Sequence, residues 1–596
     1  MAGWMQAGVD ADERLDLAQT GQVLRRSARM LRPYRRRAML AVGLLVIWTA
    51  SILAGPVLVR VAIDHGIRAG EPTVLNRAVI GYLFAAISAY LSYRVGIRSL
   101  AWVGEEFLRD LRNRVFRAML DQSPSYYDRT KAGVLVSRMT ADIDSLGELM
   151  QYGLLMFISA LLILTGSLIT LALLNWQLLL VCLLVIPILV PASVAFKREA
   201  NNAYLQVRDG IAGTLSSLQE GISGVRVIQS FAREPIEGER FGEVNGQLYR
   251  AHMRSVRAAS WYLPVVDFSG VLTTGLAIGV GGVMVRSGRM SLGTVAAFVL
   301  LLANMFDPVQ QLSQLFNMIQ SATASLAKLF EVIDSEIEVV ERVGAVELPE
   351  HGDLVIEDLA FRYGSGPPVL SGIDLTIRAG ERLALVGPTG AGKSSLAKVL
   401  ARLYDPESGS VRFGGVDLRQ ASLASLRQRI VVVPQEGFLF NGTIADNIRV
   451  ANSDASDTEV ELALERIGAL ERVLALPDGL STEVRERGGR LSAGERQLVS
   501  LARAAIVNPA VLVLDEATSS LDPGTESIVE HAMEVLMAGR TVIVIAHRLS
   551  TAQRCDRIGV VDHGRIVEIG PHDELVSARG AYAELFAAWE RGLVSP

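Results

Sequence analysis

The sequence predicts an all-α membrane-spanning half followed by an α/β half. Three observations carry this. Apolar runs of about 20 residues crowd the chain up to about Leu315 and then stop. Half of the 596 residues are hydrophobic and only 20% are charged, below the roughly one quarter usual in soluble domains. From about His351 onward, short apolar strands alternate with helix-period segments, and one strand runs straight into a glycine-rich loop. A disordered chain, a collagen and a disulfide scaffold are excluded. Two cysteines, Cys182 and Cys555, form no framework. Lys+Arg 58 against Asp+Glu 63 gives a net charge of −5, so no general pull toward nucleic acid is expected.

Six spans are expected, at residues 38–63, 78–97, 154–174, 178–196, 263–285 and 292–312. Each is near the ~20 residues that cross a hydrocarbon core. The alternative is a set of buried helices in a large soluble protein, and six such runs argue against it. Asn175, Trp176 and Gln177 alone join the third and fourth spans, which predicts a tight hairpin. Cations set the orientation. Arg32, Arg35, Arg36 and Arg37 precede the first span, and many arginines follow the second and fourth, while the alternate loops are poor in them. The positive-inside rule then puts both termini and the two long loops in the cytoplasm. Residues 24–37 form a basic amphipathic stretch suited to the inner membrane face, or a plain solvated lead-in.

Within the long loops, residues 105–120 and 201–217 carry helical periodicity and extend the spans into the cytoplasm. One loop tip runs past Tyr127, Asp128 and Gly133 through Ser137, Arg138 and Asp142, the other over 219–231 with Gly221 and Gly224. An acidic segment at 334–350 with Pro349 links the membrane domain, 1–333, to the second domain, 351–596.

The second domain carries phosphate chemistry. The strand Arg382–Val386 leads into Gly387, Pro388, Thr389, Gly390, Ala391, Gly392, Lys393, Ser394 and Ser395, and a helix is expected over 396–403. This is the phosphate-loop pattern. Glycines let successive N–H groups wrap an anion, and the helix N-terminus adds positive potential. Lys393 can reach the terminal phosphates and the Ser394 hydroxyl can ligate Mg²⁺.

A second strand, 510–514, delivers Asp515 and Glu516. In an open α/β sheet, ligands bind at the edge formed by the strands' carboxyl ends. Asp515 is placed to hold Mg²⁺, and Glu516 to polarise an attacking water. A third strand, Thr541–Ile545, ends in Ala546 and His547, and His547 is a candidate bridge between the γ-phosphate and that water. The bland readings are a capping pair and a structural histidine.

The ensemble resembles an ATP-binding cassette. Residues 491–497, Leu-Ser-Ala-Gly-Glu-Arg-Gln, are similar to the family signature Leu-Ser-Gly-Gly-Gln. Gln435 matches the Q-loop, whose residue also serves Mg²⁺, and Tyr363 matches the aromatic that stacks on adenine. Ser519, Ser520, Leu521 and Asp522 match the D-loop, and residues 482–488 look like the exporter-specific loop. With six spans ahead of one cassette, the chain resembles an exporter-type ABC half-transporter. The resemblance implies ATP and Mg²⁺ as ligands, with Thr389, Gly390, Ala391, Gly392, Lys393, Ser394 and Ser395 around the phosphates. It implies coupling roles for Gly133, Ser137, Arg138, Gly221 and Gly224. It also implies an obligate dimer, because Ser492, Ala493, Gly494 and Glu495 act across the interface on the partner's ATP.

Ala493 replaces the first signature glycine and Glu495 the glutamine. Together these leave homodimer and heterodimer both open. Asp307, before Pro308 in the sixth span, is the best candidate for the substrate path, with a helix-kink role as its alternative. The expected activity is ATP-driven export of an amphipathic drug, lipid or peptide from a bacterial plasma membrane. An exporter-shaped importer of a siderophore-like cargo, and an ATP-sensing regulator that does not pump, are the other readings.

Overall fold

The computed structural model describes residues 17–434, 437–485, 488–515, 523–546 and 549–590. The chain divides into two compact units: residues 1–120 with 132–335, and 121–131 with 336–596.

The first unit is helical; a turn at 184–185 interrupts the predicted fourth span, and the predicted spans otherwise overlap long helices. These helices are Arg35–Val61, Pro72–Leu120, Leu154–Leu183, Ile186–Ser223, Glu234–Arg286 and Leu292–Ile333. Among the described residues, four stretches are long and apolar enough to cross a membrane: Arg32–Ile67, Pro72–Leu120, Ala132–Leu183 and Glu234–Arg286. The loop helices predicted at 105–120 and 201–217 are the ends of Pro72–Leu120 and Ile186–Ser223, continuous with their spans. A 49-residue helix is roughly 70 Å long at 1.5 Å per residue, well beyond a ~30 Å hydrocarbon core.

The helix breaks at the predicted turn. Asn175 leaves the helix at φ −166°, ψ 104°, and its side chain accepts from the Leu178 N–H at 2.9 Å. It therefore both breaks one helix and caps the next. The basic stretch 24–37 is not one helix. Leu17–Met30 stops, a short 3₁₀ turn with Pro33 follows, and Arg35 starts the next helix. Arg26 pairs with Asp334 at the end of the last helix of this unit, with a second contact at 2.8 Å.

The second unit is built on a six-stranded sheet. Its order is Arg565–Gly570, Arg557–Asp562, Arg382–Val386, Thr541–Ile545, Val511–Asp515 and Ile430–Val433. All neighbouring pairs are parallel except the first, which is antiparallel. Both faces are covered, as a parallel sheet requires. Leu383, Leu385, Ile543 and Ile545 face one buried core, and Ala384, Val386, Val542 and Val544 face the other. A four-stranded antiparallel sheet, led by Leu354–Arg362 and Pro368–Ile377, joins the first of these cores. Two bounds move slightly from the sequence reading. The carboxylate strand is Val511–Asp515, and the helix after the glycine loop is Lys393–Leu400.

Candidate functional site

Strand register builds the site. Ile545 is level with Leu385 on one side and with Asp515 on the other. The glycine loop after Val386 and the Asp515 carboxylate therefore leave the sheet at the same edge, where anionic ligands of α/β sheets bind. The loop needs its glycines. Gly387 has φ +144°, and a Cβ there would lie 2.1 Å from the Val561 carbonyl oxygen. Gly392, at φ +105°, occupies the N-cap of Lys393–Leu400 in the left-handed region.

Lys393 folds back over this loop. Its Nζ donates to the Gly387 carbonyl at 2.7 Å and the Pro388 carbonyl at 2.9 Å. Burial pulls its pKa below the ordinary lysine value, while the Asp515 charge pushes it back up. A buried ammonium held by two carbonyls of an exposed loop is a counter-charge within reach of a phosphate. Ser394 is exposed and Ser395 buried. A hydroxyl at Ser394 and a carboxylate at Asp515 are hard oxygen donors, the kind Mg²⁺ takes alongside phosphate oxygens. Tyr363 stands beside the same helix, its hydroxyl 3.0 Å from Ser395 Oγ. Gln435, Glu516 and His547 lie outside the described residues, as does the D-loop.

The signature-like residues form a separate feature. Helix Ala493–Val507 packs beside the edge strand Ile430–Val433, three places along the sheet from the phosphate-loop strand. Ser492 is its N-cap in a reciprocal capping box. Ser492 Oγ accepts from the Glu495 N–H at 3.2 Å, and Glu495 Oε2 accepts from the Ser492 N–H at 2.8 Å. The remaining carboxylate oxygen pairs with Arg472 at 3.1 Å. The Glu495 charge that replaces glutamine is thus matched by an arginine from a neighbouring helix, which the linear motif gives no way to see. Gly494 is buried and Ala493 half-buried.

The coupling candidates lie on two loops of the membrane half. Gly133, Ser137 and Arg138 belong to the first unit. There Arg138 donates to the Lys328 carbonyl at 2.8 Å and pairs with Glu331. The part of this loop that folds with the second unit is 121–131, just upstream. Gly221 lies in the last turn of Ile186–Ser223, and Gly224 is the break between it and the short helix Val225–Ser230, in the first unit. Asp307 lies on Leu292–Ile333 immediately before Pro308, and its side chain is outside the described residues.

Comparison with known proteins decides the family. The profile described as ABC transporter transmembrane region matches residues 39–309, and the one described as ABC transporter matches 370–519. An ATP-dependent lipid A-core flippase of Syntrophus aciditrophicus is 33% identical across 97% of this chain and 95% of its own length. The chain belongs to the ABC transporter family. A multidrug efflux ATP-binding/permease protein of Mycobacterium bovis is also 33% identical, over 95% of this chain and 48% of that protein. A bacterial Atm1-family ABC exporter solved with ATP bound has TM-score 0.76 and 27% identity, covering 94% of this chain and 99% of that one. This ABC protein is therefore a multi-pass membrane protein of exporter fold whose ATPase domain drives export.

Proposed function

We propose that this chain is one half of a dimeric pump that moves an amphipathic lipid or drug-like molecule outward across a bacterial inner membrane, with its ATPase domain in the cytoplasm. The observation that carries the nucleotide part is the register that brings the glycine loop, Lys393 and Asp515 to one sheet edge. The lipid or drug class rests on the likeness, over nearly the whole chain, to a lipid A-core flippase and to a multidrug efflux protein. The arginine-rich long loops support a cytoplasmic ATPase domain.

In this reading the loop 387–395 binds the phosphates, Tyr363 stacks on the base, and Lys393 neutralises the terminal phosphates. Ser394, Asp515 and Gln435 hold Mg²⁺, which when bound spreads the phosphate charge. Glu516 takes the proton of the attacking water and His547 orients it. Ser492, Ala493, Gly494 and Glu495 complete the ATP site of the partner half. Catalysis of this type is positioning and electrostatics. The second half is another copy of this chain or a related one.

The test is transport in inside-out membrane vesicles with a fluorescent phospholipid and a fluorescent amphipathic cation. ATP-dependent uptake of at least one, lost in Glu516→Gln, is the expected result. Movement in right-side-out vesicles instead would assign import. Nucleotide binding with turnover indifferent to every cargo would assign a regulator.

A further inference from the structure

We propose that Asp128 is a positioning residue for the nucleotide base, acting through Tyr404 and Lys398 on Tyr363. The proposal rests on the reading of the glycine loop as the ATP site. It begins with the segment 121–131, which folds with the ATPase unit although its neighbours on both sides in sequence belong to the membrane unit. The segment forms the helix Pro124–Arg129. It is held at its start by Ser123 Oγ, which accepts from the Val339 N–H at 2.9 Å, and at its end by an ion pair of Arg129 with Glu338.

Asp128 links this helix to the helix that follows the glycine loop. One oxygen, Oδ2, accepts from Lys398 Nζ at 3.0 Å and also from the Tyr404 hydroxyl. Lys398 belongs to Lys393–Leu400, the helix whose N-terminus carries the glycine loop. Tyr404 is 5% exposed. Its ring meets Tyr363 edge-on at 5.2 Å and 89°, and Phe361 at 5.4 Å. Lys398 Nζ stands 5.7 Å from the Tyr363 ring centre and 5.6 Å from that of Tyr404. Tyr363 is tied at its far end to Ser395. A cavity of about 340 Å³ opens against this cluster, lined by Asp128, Tyr363, Tyr404, Arg362, Glu338 and Asp405 among others.

One carboxylate therefore fixes two of the groups that fix Tyr363. Without it, the buried Tyr404 hydroxyl and the Lys398 ammonium lose a shared acceptor, and each must turn to find another. The Tyr363 ring then loses its edge-on support on one side and its cation on the other. A stacking surface that has to be ordered during binding gives up part of its affinity. The phosphates are held by other atoms, Lys393 and the loop N–H groups, so the loss falls on the base alone.

The test is equilibrium binding of ATP and of inorganic tripolyphosphate to the full chain in lipid nanodiscs. Variants are Asp128→Ala, Tyr404→Phe, Tyr363→Ala and the pair Asp128→Ala/Tyr363→Ala. Tyr404→Phe keeps the ring and removes only the donor, which guards against misfolding of Asp128→Ala. The expected result is a weakening of ATP by roughly five-fold in Asp128→Ala and Tyr404→Phe, a part of the full base–aromatic stacking contribution. Tripolyphosphate stays within about two-fold, and Asp128→Ala adds nothing once Tyr363 is gone, as for two residues acting through one interaction. Equal weakening of both ligands, or full additivity with Tyr363→Ala, overturns the proposal. Lys393→Ala separates the two readings: if it binds ATP as the wild type does, the assignment of the ATP site fails and this inference falls with it.

Discussion

Lys393 is buried and held by two loop carbonyls, so its removal takes away the counter-charge at this loop. Lys393→Ala is predicted to weaken ATP binding by at least about 100-fold, the scale of a lost charge-assisted contact of ~3 kcal/mol, as read by nucleotide titration. Arg402 has a different job. It is 2% exposed and donates to the Val340 carbonyl at 3.0 Å, to the Ala421 carbonyl at 3.4 Å and to Asp405 at 3.1 Å. It also sits just past the end of Lys393–Leu400 with φ +47°, where glycine usually serves. Arg402→Ala should cost about 3 kcal/mol, because it strands Asp405 and two carbonyls. A lowered melting transition of the ATPase unit checks this. Titration behaviour follows from the same residue neighbourhood. Burial alone would raise the Asp128 pKa, but hydrogen bonds from Tyr404 and Lys398 and the Lys398 charge bring it below the ordinary carboxylate value. Its contribution to stability is therefore present above about pH 4, the unfolded carboxylate value, and is lost as pH falls through the lower folded value. Burial and the bond to Asp128 both raise the Tyr404 pKa. Its contribution is present below about pH 10 and lost as pH rises through the folded value. An alkaline absorbance titration should show part of the late-titrating tyrosine signal move to lower pH in Asp128→Ala.

At the scale of elements, joints matter more than rods. Asp64, at the end of the first membrane helix, accepts from the Gly293 N–H at 2.8 Å and from the Ser291 hydroxyl, at the start of Leu292–Ile333. A Cβ on Gly293 would lie 2.6 Å from the Arg60 carbonyl oxygen. Gly293→Val is thus predicted to displace this joint and lower the melting temperature of the membrane unit, while Gly275→Val, where a Cβ meets nothing within 4 Å, leaves it nearly unchanged. Joints of this sort are what the sequence does not declare. The rods were legible because they obey local rules: span length, the Asn175 break, and apolar strands ending in a glycine loop or a carboxylate. The strands Arg382–Val386 and Thr541–Ile545 match their expected bounds. The Asp128 cluster was not legible, since its partners lie 270 and 276 residues away. The Arg472–Glu495 pair was hidden for the same reason: no motif records which arginine faces a substituted signature residue. Nor does any local rule mark the short helix Pro124–Arg129 as the part of its loop that folds with the ATPase unit.

For the whole molecule, the two units meet different physical demands. The first presents long apolar helices that need lipid, and the second is an ordinary α/β core with both sheet faces covered. The chain crosses between them three times, at 120/121, 131/132 and 335/336. The segment 121–131 thus gives the nucleotide unit a second covalent tie to the membrane helices, besides the linker after Ile333. The proposed pump has to spend ATP in the membrane-embedded chain, and the proposed roles of Lys393 and Glu516 make both necessary for it. The most direct measurement is ATP turnover by this chain purified alone in lipid nanodiscs, beside Lys393→Ala and Glu516→Gln. The account predicts Mg²⁺-dependent turnover that falls at least about 100-fold in both variants, the size of effect seen when one group of a preorganised catalytic site is removed. Turnover that persists in either variant would contradict it.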